Sequence, residues 1–110
     1  MVIYLSGPMS GKPDYNRAAF NAAASRLRND GHKVFNPAEF KGNPWWKWSD
    51  FVAYDVAVMI QGYSSEFDGK PECPFDCLAL LDGWRDSKGA RLEYVVAQEL
   101  GLKIINESEI

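Results

Sequence analysis

The sequence predicts an α/β fold, a small three-layer domain on a mainly parallel sheet of four to five strands in the order 2-1-3-4. Three observations predict it. Short apolar or β-branched runs alternate with longer stretches of helical periodicity from one end of the chain to the other. The first and last helical stretches each stop at a glycine, Gly31 and Gly101, just before the next apolar run. The run CLALL at 77–81 contains no polar residue, as a strand buried on both faces requires.

Composition sets the outer limits. The 110 residues suffice for one core, so a single domain over 1–110 is expected, and 46% hydrophobic with 25% charged residues is ordinary for a globular protein. A net charge of −3 argues against an electrostatic footprint for polymeric nucleic acid, although local groups can still hold a small charged ligand. No apolar run reaches transmembrane length and no basic segment leads into an apolar one at the start, so no membrane contact and a cytoplasmic setting are expected. Cys73 and Cys77 flank Pro74, and the single histidine, His32, is distant in sequence. Both cysteines read as ordinary thiols, with no disulfide, no metal site and no cofactor expected.

Taken in order, residues 2–5 (VIYL) form a first strand. Residues 6–13 (SGPMSGKP) follow as a loop of glycine and small hydroxyls, which lets backbone N–H groups approach a phosphate or sugar. The pattern matches no Walker or dinucleotide motif. A helix is expected from Asp14 or Tyr15 to about Asn29, with Phe20, Ala23, Ala24 and Leu27 on its apolar face. Residues 33–35 (KVF) make the second strand and complete a right-handed βαβ unit. The aromatic segment 40–48 holds Trp45, Trp46 and Trp48, which can cap the core, stack a planar base or bury a subunit contact. Ser49 is the expected N-cap of a middle helix running to about Gln61, and Asp55 sits beside its apolar face. Residues 62–74 have loop composition. The strand at 77–81, a turn through Gly83, a last helix and a last strand at 103–106 complete a flavodoxin- or Rossmann-like order.

The last helix carries the unusual residue. Ser87 is its expected N-cap, and that hydroxyl with the free N–H groups behind it can hold an anion. Glu93 falls at helical spacing with Ala90, Ala97 and Leu100, which places a carboxylate on a small, apolar stripe. A glutamate near a helix start can also merely complement the macrodipole. The strand order brings the ends of the first and third strands together, so the 6–11 loop and the 87–93 turn face one pocket.

Three pieces together carry a resemblance: IYLSGPMSG at 3–11 with Tyr15, Asn16 and Arg17; Asp55; and Asp82, Gly83 and Trp84 with SKGARLE at 87–93. The chain resembles the nucleoside 2-deoxyribosyltransferase-like superfamily, in particular its small phage and prophage members, over about residues 2 to 105. It is similar to the 2′-deoxynucleoside 5′-monophosphate N-glycosidases of that group. The resemblance implies that Glu93 is the nucleophile that attacks C1′ and that Asp55 assists the leaving base. It implies a binding surface of Tyr4, Ser6, Gly7, Pro8, Met9, Ser10, Gly11, Asn16, Arg17, Gly83, Trp84, Ser87 and Gly89 for a nucleoside or nucleotide. Ser87, six residues before Glu93, matches the monophosphate hydrolases, since a carboxylate there would repel a phosphate. The hydrolase branch carries an arginine in the first loop where this chain has Met9, leaving Arg17 and Arg85 as cations near enough in sequence to replace it.

Three functions are therefore expected in competition. They are an N-glycosidase, a deoxyribosyltransferase that passes the same intermediate to a second base, and a non-catalytic nucleotide-binding or phage interaction module. Members of the superfamily form homodimers or larger assemblies. The chain adds its own motive, because four Trp, five Tyr and six Phe exceed what a core of this size hides. A homo-oligomer, most simply a dimer, is expected, with the tryptophan segment or the middle helix in the contact.

Overall fold

A computed structural model describes residues 1–40, 42–64 and 73–110. The chain runs β1 (Val2–Ser6), α1 (Arg17–Asn29), β2 (Lys33–Phe35), α2 (Trp48–Gln61), β3 (Cys77–Leu80), α3 (Lys88–Glu99) and β4 (Lys103–Asn106). The four strands form one all-parallel sheet in the order β2-β1-β3-β4. Among the described residues no helix is long and apolar enough to cross a membrane.

Strand periodicity sorts the core into two halves. Ile3 and Leu5 of β1 share one sheet face with Cys77 and Ala79 of β3, and α1 covers it with Phe20, Ala23, Ala24 and Leu27. Tyr4, Leu78 and Leu80 face the other way, against Met59 of α2 and Ala97 of α3. Both central strands are therefore apolar on each side. Cys77 is buried in the first half, and Cys73 is half-buried; both are free thiols.

Every strand ends at the same edge of the sheet, so every helix begins there. Gly7 leaves β1 so close to the neighbouring chain that a Cβ would lie 2.8 Å from the Leu81 Cβ. Gly83 turns the chain after β3 at φ +85, in the left-handed region that favours glycine. Ser87 caps α3 by accepting from the Ala90 N–H at 3.2 Å.

Three details, at the starts of α1 and α2 and at the end of α3, depart from the sequence reading. Residues 13–16 do not join α1: Asp14, Tyr15 and Asn16 take φ 48, 53 and 62, three consecutive left-handed residues, and regular helix begins at Arg17. The helix α2 is capped at Lys47, not Ser49, because the Asp50 carboxylate reaches back to accept from the Lys47 N–H at 2.8 Å. Leu100 lies outside the buried stripe of α3 and is exposed, since the helix ends at Glu99. The tryptophans diverge: Trp46 packs against Phe51 and Tyr54, with ring centroids 5.2 and 5.8 Å apart, while Trp45 is 77% and Trp48 48% exposed. Of the expected 62–74 loop, Tyr63 and Cys73 form an antiparallel bridge; residues 65–72 lie outside those described.

Candidate active site

Tyr4 and Ser6 are two apart on β1 and so point from one sheet face, toward α2 and α3. Glu93 comes down on them from the second turn of α3, where Ala90 and Ala97 keep the helix close to the sheet. Its residue surface is only 8% exposed. Ser6 Oγ donates to Glu93 Oε1 at 2.7 Å, and the Tyr4 hydroxyl donates to Oε2. The same hydroxyl lies 3.4 Å from the Asp55 backbone oxygen, so Tyr4 spans the helices that carry the two carboxyls.

Burial decides the protonation of this group. Desolvation raises Glu93 from 4.5 to about 7, against the opposing pull of the Tyr4 and then the Ser6 hydrogen bonds. Half-buried Asp55 is raised from 3.8 to about 8, first by desolvation and then by the charge of Glu93. The two donors on Glu93 favour its anion, so the proton that the pair shares near neutral pH rests mainly on Asp55. Tyr4 is pushed well above its ordinary value by burial and by Glu93, which keeps it a donor.

A cleft of about 1010 Å³ opens over this pair. Asp55, Glu93, Ser6, Gly7, Pro8, Met9, Ser10, Arg17, Gly83, Ser87 and Gly89 all line it. The remaining residues singled out from sequence do not. Tyr4 lies beneath, in contact with Glu93. Asn16 braces the loop from behind, donating to the Pro8 oxygen at 3.0 Å. Gly11 supplies a left-handed turn at φ 79, away from the lining. Trp84 packs on Tyr94 at 4.8 Å with the Arg85 guanidinium 4.8 Å above it, which takes Arg85 out of the cleft as well. Met9 packs against the α1 side of the core.

Sequence reasoning did not place Lys12, Phe20, Pro37, Ala38, Phe40, Phe51, Val52, Asp86, Lys88 and Ala90 at the site, and it named Tyr15 only within the resemblance and Trp48 only as one of three tryptophans able to stack a base; all of them line the cleft. One signal was available. Trp48, Phe51, Val52 and Asp55 fall at i, i+3, i+4 and i+7, so choosing Asp55 also chooses that helix face.

Helix N-termini gather at the mouth, where Asp86 is also part of the lining. The helices α1, α2 and α3 each present an N-terminal residue to it, in Arg17, Trp48 and Lys88. Neither α1 nor α3 has an acidic residue in its first turn. Arg17 Nε is buried without a hydrogen-bond partner, 3.7 Å from the Asp14 carboxylate. Among the described residues, no group of three or more His, Cys, Asp or Glu is placed to hold a metal ion.

No curated protein and no solved structure matches this chain. A family model does, one described as "Domain of unknown function (DUF4406)", and it covers residues 1–106. With nearly the whole length matched, the chain belongs to the DUF4406 family.

Proposed function

We propose that this protein cleaves the N-glycosidic bond of a deoxyribonucleoside 5′-monophosphate through a glutamyl-deoxyribosyl intermediate. The observation that carries the reading is the carboxyl pair: a buried Glu93 held by two hydroxyls, beside an Asp55 that burial and the Glu93 charge push toward its protonated form, on the floor of a cleft with a cationic mouth. A Glu93 oxygen attacks C1′ as the C1′–N bond breaks, and Asp55 gives its proton to the departing base nitrogen. Water then attacks C1′ and gives a proton to Asp55. The C1′–O bond to Glu93 breaks, leaving 2-deoxyribose 5-phosphate and the starting carboxylate.

Tyr4 and Ser6 fix both oxygens of the nucleophile in one orientation, which a flexible glutamate would otherwise lose. Arg17, Lys12 and the Ser87 end of α3 supply charge and donors for the phosphate, with Arg17 in the role that Met9 cannot fill. An acceptor base in place of water would make the same chemistry a transfer. The test is chromatography of each common nucleoside and nucleotide after incubation, with and without a second free base. Free base and sugar phosphate from wild type, and none from Glu93→Ala, are expected. Release by Glu93→Ala at the wild-type rate sinks the assignment, and a new glycoside would replace hydrolysis by exchange.

The working unit in this reading is a homodimer joined through the tryptophan segment or α2. Trp45 and Ile60, 77% and 60% exposed, support it. Sedimentation at micromolar concentration checks this, and an active monomer would end it.

A further inference from the structure

Arg17 is pulled from two sides. Its side chain lines the cleft, while Asp14, whose carboxylate faces its Nε at 3.7 Å, lies outside the lining. At that distance the pair has attraction without a hydrogen bond, and the Nε is buried with its donor unused. The Tyr15 ring flanks the same guanidinium, its centroid 5.7 Å from the central carbon.

A fixed turn presents the carboxylate. Asp14 sits in the left-handed region at φ 48, ψ 38, ahead of the first residue of α1. The Tyr15 N–H donates to the Lys12 oxygen at 3.1 Å, and Asn16 donates to the Pro8 oxygen at 3.0 Å. The two partners differ in what they lose on parting. The Asp14 side chain is 79% exposed and returns to water at little cost, whereas Arg17, 37% exposed, remains a cation with a buried donor. An anion in the cleft that takes the guanidinium through two donors satisfies that group better than Asp14 does.

We infer that Asp14 is a built-in competitor for the anion that Arg17 takes from the cleft, and so sets how strongly the cleft prefers a phosphorylated ligand to its neutral form. Binding a phosphomonoester turns Arg17 away from Asp14, and release lets the pair reform. A neutral ligand leaves the pair intact. Exposed ion pairs are weak, so the contact lowers anion affinity by only about two- to fivefold. The inference rests on the glycosidase reading only in taking the nucleotide phosphate as the anion. In that reading the sugar phosphate product keeps the group that Arg17 holds, and the returning Asp14 carboxylate favours its departure.

Inorganic phosphate is the probe, titrated into the full-length protein while the Arg17 Nε–H resonance is followed by NMR. Asparagine is at home in left-handed backbone, so Asp14→Asn removes the charge and keeps the turn. That variant should bind phosphate about two- to fivefold more tightly. The Nε–H resonances of the two proteins should differ without phosphate and converge at saturation, because position 14 no longer faces the bound guanidinium. Equal or weaker binding by Asp14→Asn would overturn the inference, since Asp14 would then orient Arg17 or leave it alone. Tighter binding with the two resonances still apart at saturation would overturn it too, as an effect of net charge alone. So would an Nε–H resonance that phosphate does not move in either protein. In turnover, Asp14→Asn should lower KM for 5′-monophosphates by the same factor and leave nucleosides unchanged. The expected titration with no base released from any deoxynucleotide would overturn the glycosidase reading while this inference stands. Base release with a titration that Asp14→Asn does not alter would do the reverse.

Discussion

Replacing Glu93 by glutamine exchanges a buried carboxyl for a neutral amide of the same shape, and it should make the protein more stable at neutral and alkaline pH. Burial raises the Glu93 pKa from 4.5 to about 7, so the folded protein holds that proton more tightly than the unfolded chain does. The contribution is fully present below about pH 4.5 and is lost as pH rises through about 7. Over that interval it corresponds to roughly 3 kcal/mol. That cost already includes the help of the two hydrogen bonds to the anion, and an amide that fits the two hydroxyls less well than the carboxyl it replaces gives back part of the gain, leaving about 1–2 kcal/mol. In a domain of this size that raises Tm by about 5–10 °C at pH 8. Melts of both proteins by circular dichroism at pH 4.5, 6 and 8 should show the two curves nearly together at the lowest pH and separating as pH rises. A separation independent of pH, or a variant less stable than wild type at pH 8, would refute the argument that the site strains the fold through this charge.

Three further outcomes are expected. Tyr4→Phe removes one donor from the Glu93 anion, so the acid limb of the pH–rate profile should move to higher pH while kcat falls about tenfold or more; an unmoved limb would deny Tyr4 that role. Arg17→Met should raise KM for 5′-monophosphates by about tenfold or more and leave the corresponding nucleosides little affected; equal effects on both would place the phosphate elsewhere. Gly7→Ala brings a Cβ to 2.8 Å from the Leu81 Cβ, and chemical denaturation should show a loss of about 1–3 kcal/mol; a neutral result would mean that the loop moves freely away from β3.

Most of the frame was open to reading because one face of each element is committed. The alternation in 2–6 separates Ile3 and Leu5 from Tyr4 and Ser6, and the same alternation aims two hydroxyls at one carboxylate. Ala90, Glu93 and Ala97 share a buried stripe because helical spacing puts them there, whatever surrounds the helix. The turn at 13–16 was not legible. Proline followed by aspartate reads as a helix start, and the left-handed alternative goes with loop contacts that no local pattern announces, Asn16 donating to the Pro8 oxygen and the Tyr15 N–H to the Lys12 oxygen. The α2 cap was missed for a related reason: Ser49 is a good cap by residue type and Lys47 is not, and the start is moved to Lys47 by the Asp50 carboxylate reaching back to its N–H. Lys12, Lys88 and Trp48 belong to three different segments, so their meeting at one mouth follows from strand order and loop path together.

The left-handed run of Asp14, Tyr15 and Asn16 leaves a mark that selection experiments can find without any knowledge of the reaction. Each non-glycine residue held there costs on the order of 1 kcal/mol or more relative to ordinary backbone, and Tyr15, which has the least to gain from such a conformation, is the one that lines the cleft. Glycine at position 15 would relieve the cost and remove the aromatic edge in one step. In a library sorted for abundance alone, Tyr15→Gly should therefore rise; in one sorted for the protein's activity, it should disappear. That opposition would locate a working surface by its expense to the fold, and it makes residues 13–16 the place where homologous chains are expected to trade durability for fit.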